Sequence, residues 1–541
     1  MRDFFASTQL GSASARAGFG VVAIIGLACL SLHCTTPPEE ATPPSDVDAV
    51  AETGSSPDTN DGAATRDTTG PDDGGRTDLV VPVDTGDTGR GDTPVAEVVS
   101  DVAPDDGASD GGAAQPGLYR PDDGPGHEDG TIVDVCNEGD ILSAISNADP
   151  GDVITVCPGT FAFNQKINVN RDGQASARIF LRAEAPGTVT LNLSHIENFN
   201  ISAKFWVFEN ITFFGDCSDS SGCEHAFHIV GDADDLIFRT NEVVNFASHV
   251  KLNAEVVGSG PAKSFPDRTM FIRNTWRNTK YIPNNAPHNI LNIDGGVDHV
   301  VRGNVFADYN TPASLPKSAS AVYPKASTLR MLVEQNLIIC EKVRTEGETT
   351  RGIQLGDNAP ASICDGDTDQ DGLGDCEDNG QSQEITVRNN IIMNCNNGGS
   401  AAGIMVSSDR DSKILHNTVI NTDPRKGAFY VGHPNHETFW RSNIIENGFD
   451  TNYAVQSLTE SDNVTPSPQE VSALFTGPAQ GDLSLAAGAT LAQVPSEPDV
   501  THDFCGYPRG DTADLGAIEY STTFDGLSCA EKVKQMFDKL P

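Results

Sequence analysis

Residues 300–309 read VVRGNVFADY, and residues 332–340 read LVEQNLIIC. Each has strand-forming residues, then an Asn, then two or three apolar residues. The arrangement returns in VFENITF, FRTNEVVNF, FIRNTWRN, VRNNIIMNC, ILHNTVINT and FWRSNIIEN. The asparagines are Asn210, Asn241, Asn274, Asn304, Asn336, Asn390, Asn417 and Asn443, about 26 to 33 residues apart except between Asn336 and Asn390. An acidic insertion lengthens that one step, and removing it with its flanks restores roughly one repeat. Within each unit, apolar positions alternate with period two, and Val, Ile, Thr and Phe dominate them. That is the pattern of short strands rather than helices.

A unit this short cannot cover its own apolar face, so its neighbours must do so by stacking. An Asn at one corner of every coil can donate its amide to the next Asn and satisfy buried polar groups along the stack. The expected fold is therefore all-β: a solenoid of parallel strands.

At this point the chain resembles the right-handed parallel β-helix proteins of the pectate-lyase-like superfamily, which includes chondroitinase-B-like lyases. NEGDILSAISNADPGDVITVCPGTF (residues 137–161) is similar to their entry: a capping helix with Ile141, Leu142, Ala144 and Ile145 on one face, then a Pro-Gly-Asp turn into the first coil. DFCGYPRGDTADLGAIEY (residues 503–520) resembles their closing segment. The resemblance implies a β-helix over residues 118–520, with a tail at 521–541 that forms a short helix. It points to no single activity, since the superfamily holds lyases, hydrolases, epimerases and non-catalytic surface proteins.

Outside the repeats, composition sets bounds. Residues 1–34 carry Arg2 and Arg16 before an apolar run from Ala17 to Leu32, as long as a signal-peptide core and short for a spanning helix. Cys29 and Cys34 at its end resemble a bacterial lipoprotein signal, although His33 precedes Cys34 and Gly26 stands three before Cys29. The expectation is export, either to a cell surface through a lipid on Cys34 or as a secreted protein after ordinary cleavage. Residues 35–117 hold no aromatic residue and no cysteine, and 19 acidic residues face three arginines. Such a segment buries too little apolar surface to offset its ordering entropy and is expected to be a disordered, charge-stiffened linker. The net charge of −42 argues against nucleic acid and anionic membrane as partners. Membrane contact is expected only through the lipid, and the chain is expected to act as a monomer.

Ten of the 12 cysteines follow the linker. Outside the cell these form a disulfide framework whose connectivity sequence alone leaves open. Pairing by proximity gives Cys136–Cys157, Cys217–Cys223, Cys340–Cys395, Cys364–Cys376 and Cys505–Cys529.

Strand alternation then sorts the polar residues. In SHVKLN, Val250 and Leu252 point inward and His249, Lys251 and Asn253 outward; in HNILNIDGG, Asn292 and Asp294 face out. Similar logic exposes His228, Tyr323, Lys325, Gln354, Met405, Ser407 and Tyr430, giving one column up a single sheet. Saccharide-active β-helices resembling this one carry their sites on such a face. β-Elimination of a uronate needs a base for the proton beside the carboxylate and a cation or metal for the enolate-like intermediate. Lys251 is the candidate base, with His249 or Lys325 in support and Asp294 as orienter or ligand. Against this, solvated polar residues line every β-helix, and the stacked Lys and Arg expected of chondroitinase-B-like lyases are missing. The expected partner is a polysaccharide, bound by a lyase or by a non-catalytic adhesion protein.

The insertion CDGDTDQDGLGDCED (residues 364–378, within a loop at 364–380) resembles the calcium units of thrombospondin type 3 repeats. Asp367, Asp369, Asp371, Asp375 and Asp378 supply carboxylates, Leu373 a carbonyl, and Gly372 the sharp turn. Calcium is thus the expected cofactor, as a structural clasp.

Overall fold

The computed structural model describes residues 124–541, except 128–129, 218–221, 257–262, 283–287, 313–318, 327, 344–346, 349, 357–380, 396–401, 422–428, 432–437, 452–457, 522 and 525. The signal-like segment, the whole linker, Cys364–Cys376 and the proposed calcium ligands Asp367, Asp369, Asp371, Leu373, Asp375 and Asp378 lie outside the described residues.

Three long sheets run side by side among the described residues. The first has twelve strands, from Thr131–Val135 to Leu458–Ser461, and the second ten, from Gly159–Phe163 to Ile444–Ile445. The third also has ten, from Ile167–Val169 to Phe449–Thr451. The chain visits them in rotation. Phe271, for example, pairs in parallel with Phe238 of the preceding coil and Val301 of the next. The protein is a parallel β-helix, whose crossovers take the right-handed sense that twisted strands favour.

Its core is a set of stacked columns. Leu181, Phe208, Phe238, Phe271 and Val301 occupy successive rungs of the first sheet, each fully buried. The Phe208 and Phe238 rings stack at 4.9 Å and those of Phe238 and Phe271 at 5.2 Å. Burying each such ring stabilises the fold by about 1.5–3 kcal/mol.

The corner between first and second sheets explains the repeated Asn. One residue turns left-handed, and the next is the ladder Asn: Thr240 before Asn241, Arg273 before Asn274, Gln335 before Asn336, His416 before Asn417. Each ladder amide donates to the next Asn Oδ1, from Asn241 to Asn274 at 3.1 Å through Asn336 to Asn390 at 2.9 Å and Asn443 to Asn463 at 2.8 Å. Its second proton goes to a first-sheet carbonyl one coil back, as from Asn336 to Val301 at 2.9 Å. The Oδ1 also accepts a backbone N–H, as from Asn304 to Asn336 at 2.9 Å. Asn210 does not belong to this ladder. It occupies the left-handed position itself (φ 62°), and Ile211 takes the ladder place. The array therefore begins at Asn241 and extends past Asn443 to Asn463.

Both ends are closed. Helix Glu138–Asn147, capped by the Asn137 side chain, buries Ile141 and Ile145 over the first coil. At the other end the solenoid stops earlier than Tyr520. After Leu458–Ser461 the chain turns back, and residues from Pro468 onward lie along the outer face of the second sheet. Val471, Phe475, Phe504, Ile518, Val533 and Phe537 cover Val305, Leu337, Ile391 and Ile444 in a second apolar core. The C-terminal helix, Cys529–Lys539, is part of that cover rather than a tail. Four of the expected disulfides are formed: Cys136–Cys157, Cys217–Cys223, Cys340–Cys395 and Cys505–Cys529.

Candidate functional site

The third sheet carries the candidate site. Strand Val250–Asn253 buries Val250 and Leu252 completely, so Lys251 and Asn253 turn outward, both half-buried. Parallel register stacks Asn200, His228, Lys251, Asn292 and Tyr323 on consecutive rungs. Two residues further along, Asn253, Asp294 and Lys325 form a second column. A hairpin of Glu255–Val256 and Lys263–Ser264 follows directly from the Lys251 strand.

Around Lys251 the charges fall into pairs. Lys166 Nζ donates to Glu197 at 2.6 Å, and the other Glu197 oxygen lies 3.2 Å from His228 Nδ1. Burial raises the Glu197 carboxyl, yet Lys166 and His228 together bring it below its ordinary value. His228 Nε2 meets Asn253 Oδ1 at 2.8 Å, and the Asn253 amide is committed to the Ala254 carbonyl, so Nε2 carries a proton. Burial holds the imidazole below its usual pKa, against the pull of Asn253 and Glu197. A fully neutral ring would turn a bare Nδ1 lone pair on the Glu197 carboxylate. One rung aside, Glu224 lies 3.4 Å from His225 Nε2, and that contact lowers the Glu224 carboxyl.

Lys325 pairs with Asp294 at 3.4 Å and lies 5.0 Å from the centre of the Tyr323 ring. Asp294 therefore neutralises Lys325 and stands in the other column from Lys251. Lys251 itself makes no hydrogen bond or ion pair with the described residues. The charges it feels are Glu224 and His228.

Several expected placements differ. His249 is fully buried at the corner between second and third sheets, its Nε2 3.0 Å from Asn278 Oδ1 and its ring beside Phe246 and Trp276. Strand alternation fails there because the corner precedes the strand, so His249 cannot assist Lys251. Tyr323, Gln354, Met405 and Ser407 are buried as well. Gln354 accepts from Ser320 Oγ at 3.0 Å and from Arg351 at 2.5 Å. Tyr430 keeps its register place beside Met405, with its side chain outside the described residues. Glu197, Glu224 and His225 were missed: they sit where strands begin, and only the stacked register brings them beside Lys251. Among the described residues no group of three His, Cys, Asp or Glu side chains is placed to hold a metal ion.

No protein-family model matches the sequence, and no curated protein matches it. Among solved structures, the chain is similar to pectate lyase Pel9A (12% identity, TM-score 0.42, 73% of this chain and 98% of that one). It is similar to an alginate lyase from Paenibacillus sp. str. FPU-7 (14% identity, TM-score 0.36, 62% and 99%). A third is the A-module of the Azotobacter vinelandii mannuronan C-5 epimerase AlgE4 (13% identity, TM-score 0.33, 63% and 94%).

Proposed function

We propose that the outer face of the third sheet binds an acidic polysaccharide and that the protein is a lyase cleaving it by β-elimination at a uronate. The observation that carries this reading is Lys251, an outward lysine held in register between His228 and Asn292 and, among the described residues, in no ion pair with a carboxylate. Lys166 and Lys325 are each neutralised by an acid. In a strongly acidic chain, an ammonium without a fixed partner is the group a sugar carboxylate would meet. As the neutral amine, Lys251 would take the proton beside the substrate carboxylate and become an ammonium beside the enolate-like oxygens, with the Asn292 side chain in the same column to hydrogen-bond them.

The test is incubation with alginate, pectate and glycosaminoglycans, following unsaturated uronate absorbance. Lys251→Ala should lower the rate by about 10²–10⁴-fold without moving the melting temperature. No product on any of these polymers removes the lyase reading. Retarded migration in polysaccharide-containing gels, lost in Lys251→Ala, would then mark a non-catalytic binding protein on the same face.

We further propose that residues 367–378 bind calcium as a clasp and that the protein is exported, with or without a lipid on Cys34. Supporting the first is the alternation of oxygen donors around Gly372. Supporting the second are the apolar N-terminal run and four cystines, which persist in oxidising compartments. Mass analysis of the mature N-terminus separates lipidation, simple cleavage and retention.

A further inference from the structure

The outer face of the first sheet carries an apolar column that the described chain covers only in part. Ile237 stacks on Val207, Val207 on Phe180, and Phe180 on Val153. Val153, Phe180, Val207 and Ile237 form a small buried cluster outside the main core. Their cover is the segment that precedes the first strand. Gly124 lies so close to Ile237 that an added Cβ would sit 2.5 Å from its Cδ1, and one on Gly130 would sit 2.2 Å from Val153. Between them, His127 packs edge-on against Phe180 with ring centres 5.8 Å apart. Polar contacts fasten the same segment: Arg239 donates to the Gly124 carbonyl at 3.5 Å, and His127 Nδ1 lies 3.8 Å from Glu209.

The column does not stop at Ile237. Met270, Val300 and Leu332 continue it rung by rung, each half-buried, and it turns polar at Thr386 and Lys413. From Gly124 to Gly130 the chain crosses three rungs in six residues. Rungs lie about 4.8 Å apart and an extended residue spans about 3.3 Å, so that pace is comfortable. The six residues before Gly124 are Leu118, Tyr119, Arg120, Pro121, Asp122 and Asp123. At the same pace they reach over Met270 and Val300 to Leu332, the last apolar rung. Tyr119 is the first aromatic residue after Phe19, so large apolar side chains enter the sequence where the uncovered column could take them.

We propose that residues 118–123 extend the Gly124–Gly130 strap along Met270, Val300 and Leu332, with Leu118 and Tyr119 as its apolar anchors. The linker then leaves the solenoid beside Leu332, part-way along the first sheet, and not at the first coil. The strap binds residues 118–130 to seven successive rungs, from Val153 to Leu332.

Amide hydrogen exchange on the full chain tests this. Residues 118–123 should exchange at least tenfold more slowly than residues 100–110, and Leu332→Asp should abolish that difference. A Leu118→Cys/Leu332→Cys pair should cross-link under mild oxidation, while Leu118→Cys/Ile132→Cys, at the far end of the column, should not. Exchange at 118–123 as fast as at 100–110, with no cross-link to position 332, overturns the proposal. So does a dimer in sedimentation that Leu332→Asp dissolves, because a second copy would then be the cover.

Discussion

Asn336 accepts the Asn304 amide and backbone N–H at 3.0 and 2.9 Å and donates to Asn390 and to the Val301 carbonyl. Replacing it with Ala strands buried donors on one side and acceptors on the other. Each stranded group costs about 1–3 kcal/mol, so Asn336→Ala should lower unfolding free energy by at least that much in urea titrations. Asn210→Gly should change it by less than about 1 kcal/mol, because Gly suits a left-handed corner better than any other residue. The ladder was legible in sequence because one side chain recurs at one spacing. Asn210 was misplaced because Asn also suits the left-handed corner one residue earlier, and a repeat pattern cannot separate two uses of the same residue type. His249 was misread for a related reason: alternation holds inside a strand and not at the corner that feeds it. Lys251 and Asp294 did turn outward as expected, yet Glu197, Glu224 and His225 near Lys251 come from strand starts that no sequence period marks.

At the scale of elements, the turn stack before the first sheet contains Asp409, fully buried and pushed up to about 7 by that burial. The hydroxyls of Ser382, Ser412 and Thr438 donate to it at 2.6, 2.8 and 3.3 Å and only partly oppose the shift. A carboxyl raised in the folded state binds its proton more tightly there than in the unfolded chain. Its contribution is complete below about pH 4 and is lost as pH rises through about 7. Between those limits, each pH unit should cost about 1.4 kcal/mol from this group. The difference in unfolding free energy between wild type and Asp409→Asn, measured at pH 4.5, 6 and 7.5, should change with that slope. Asp503, raised to about 6, and Glu519, raised to about 7, both by burial, act in the same direction within the C-terminal segment. That segment is tied by Cys505–Cys529, and replacing both cysteines with Ala should cost about 2–4 kcal/mol in calorimetric melts. For the insertion, calcium should raise the melting temperature of the wild type and leave Asp367→Asn/Asp371→Asn unmoved. The closing segment was recognisable in sequence, but its path along the second sheet was not. Its partners Val305, Leu337 and Ile391 are some 80 to 230 residues away, and apolar residues on an outer strand face look like any strand.

Across the whole molecule, stacked coils contact only their neighbours, a geometry that by itself permits unfolding from either end. Residues 468–540 change this, because they span strands from Val305–Ala307 to Ile444–Ile445 at once. Trp206, Trp276 and Trp440 stand buried at three heights and report on separate coils. In the full chain their fluorescence should be lost in one urea transition; without residues 465–541 the Trp440 region should unfold first. The same feature bears on synthesis, which delivers a chain from its N-terminus. The outer apolar stripe of the second sheet is made early and its cover arrives last. A nascent molecule must therefore pass through a stage in which finished coils display a bare hydrophobic flank, and slow synthesis near the end should favour aggregation over closure.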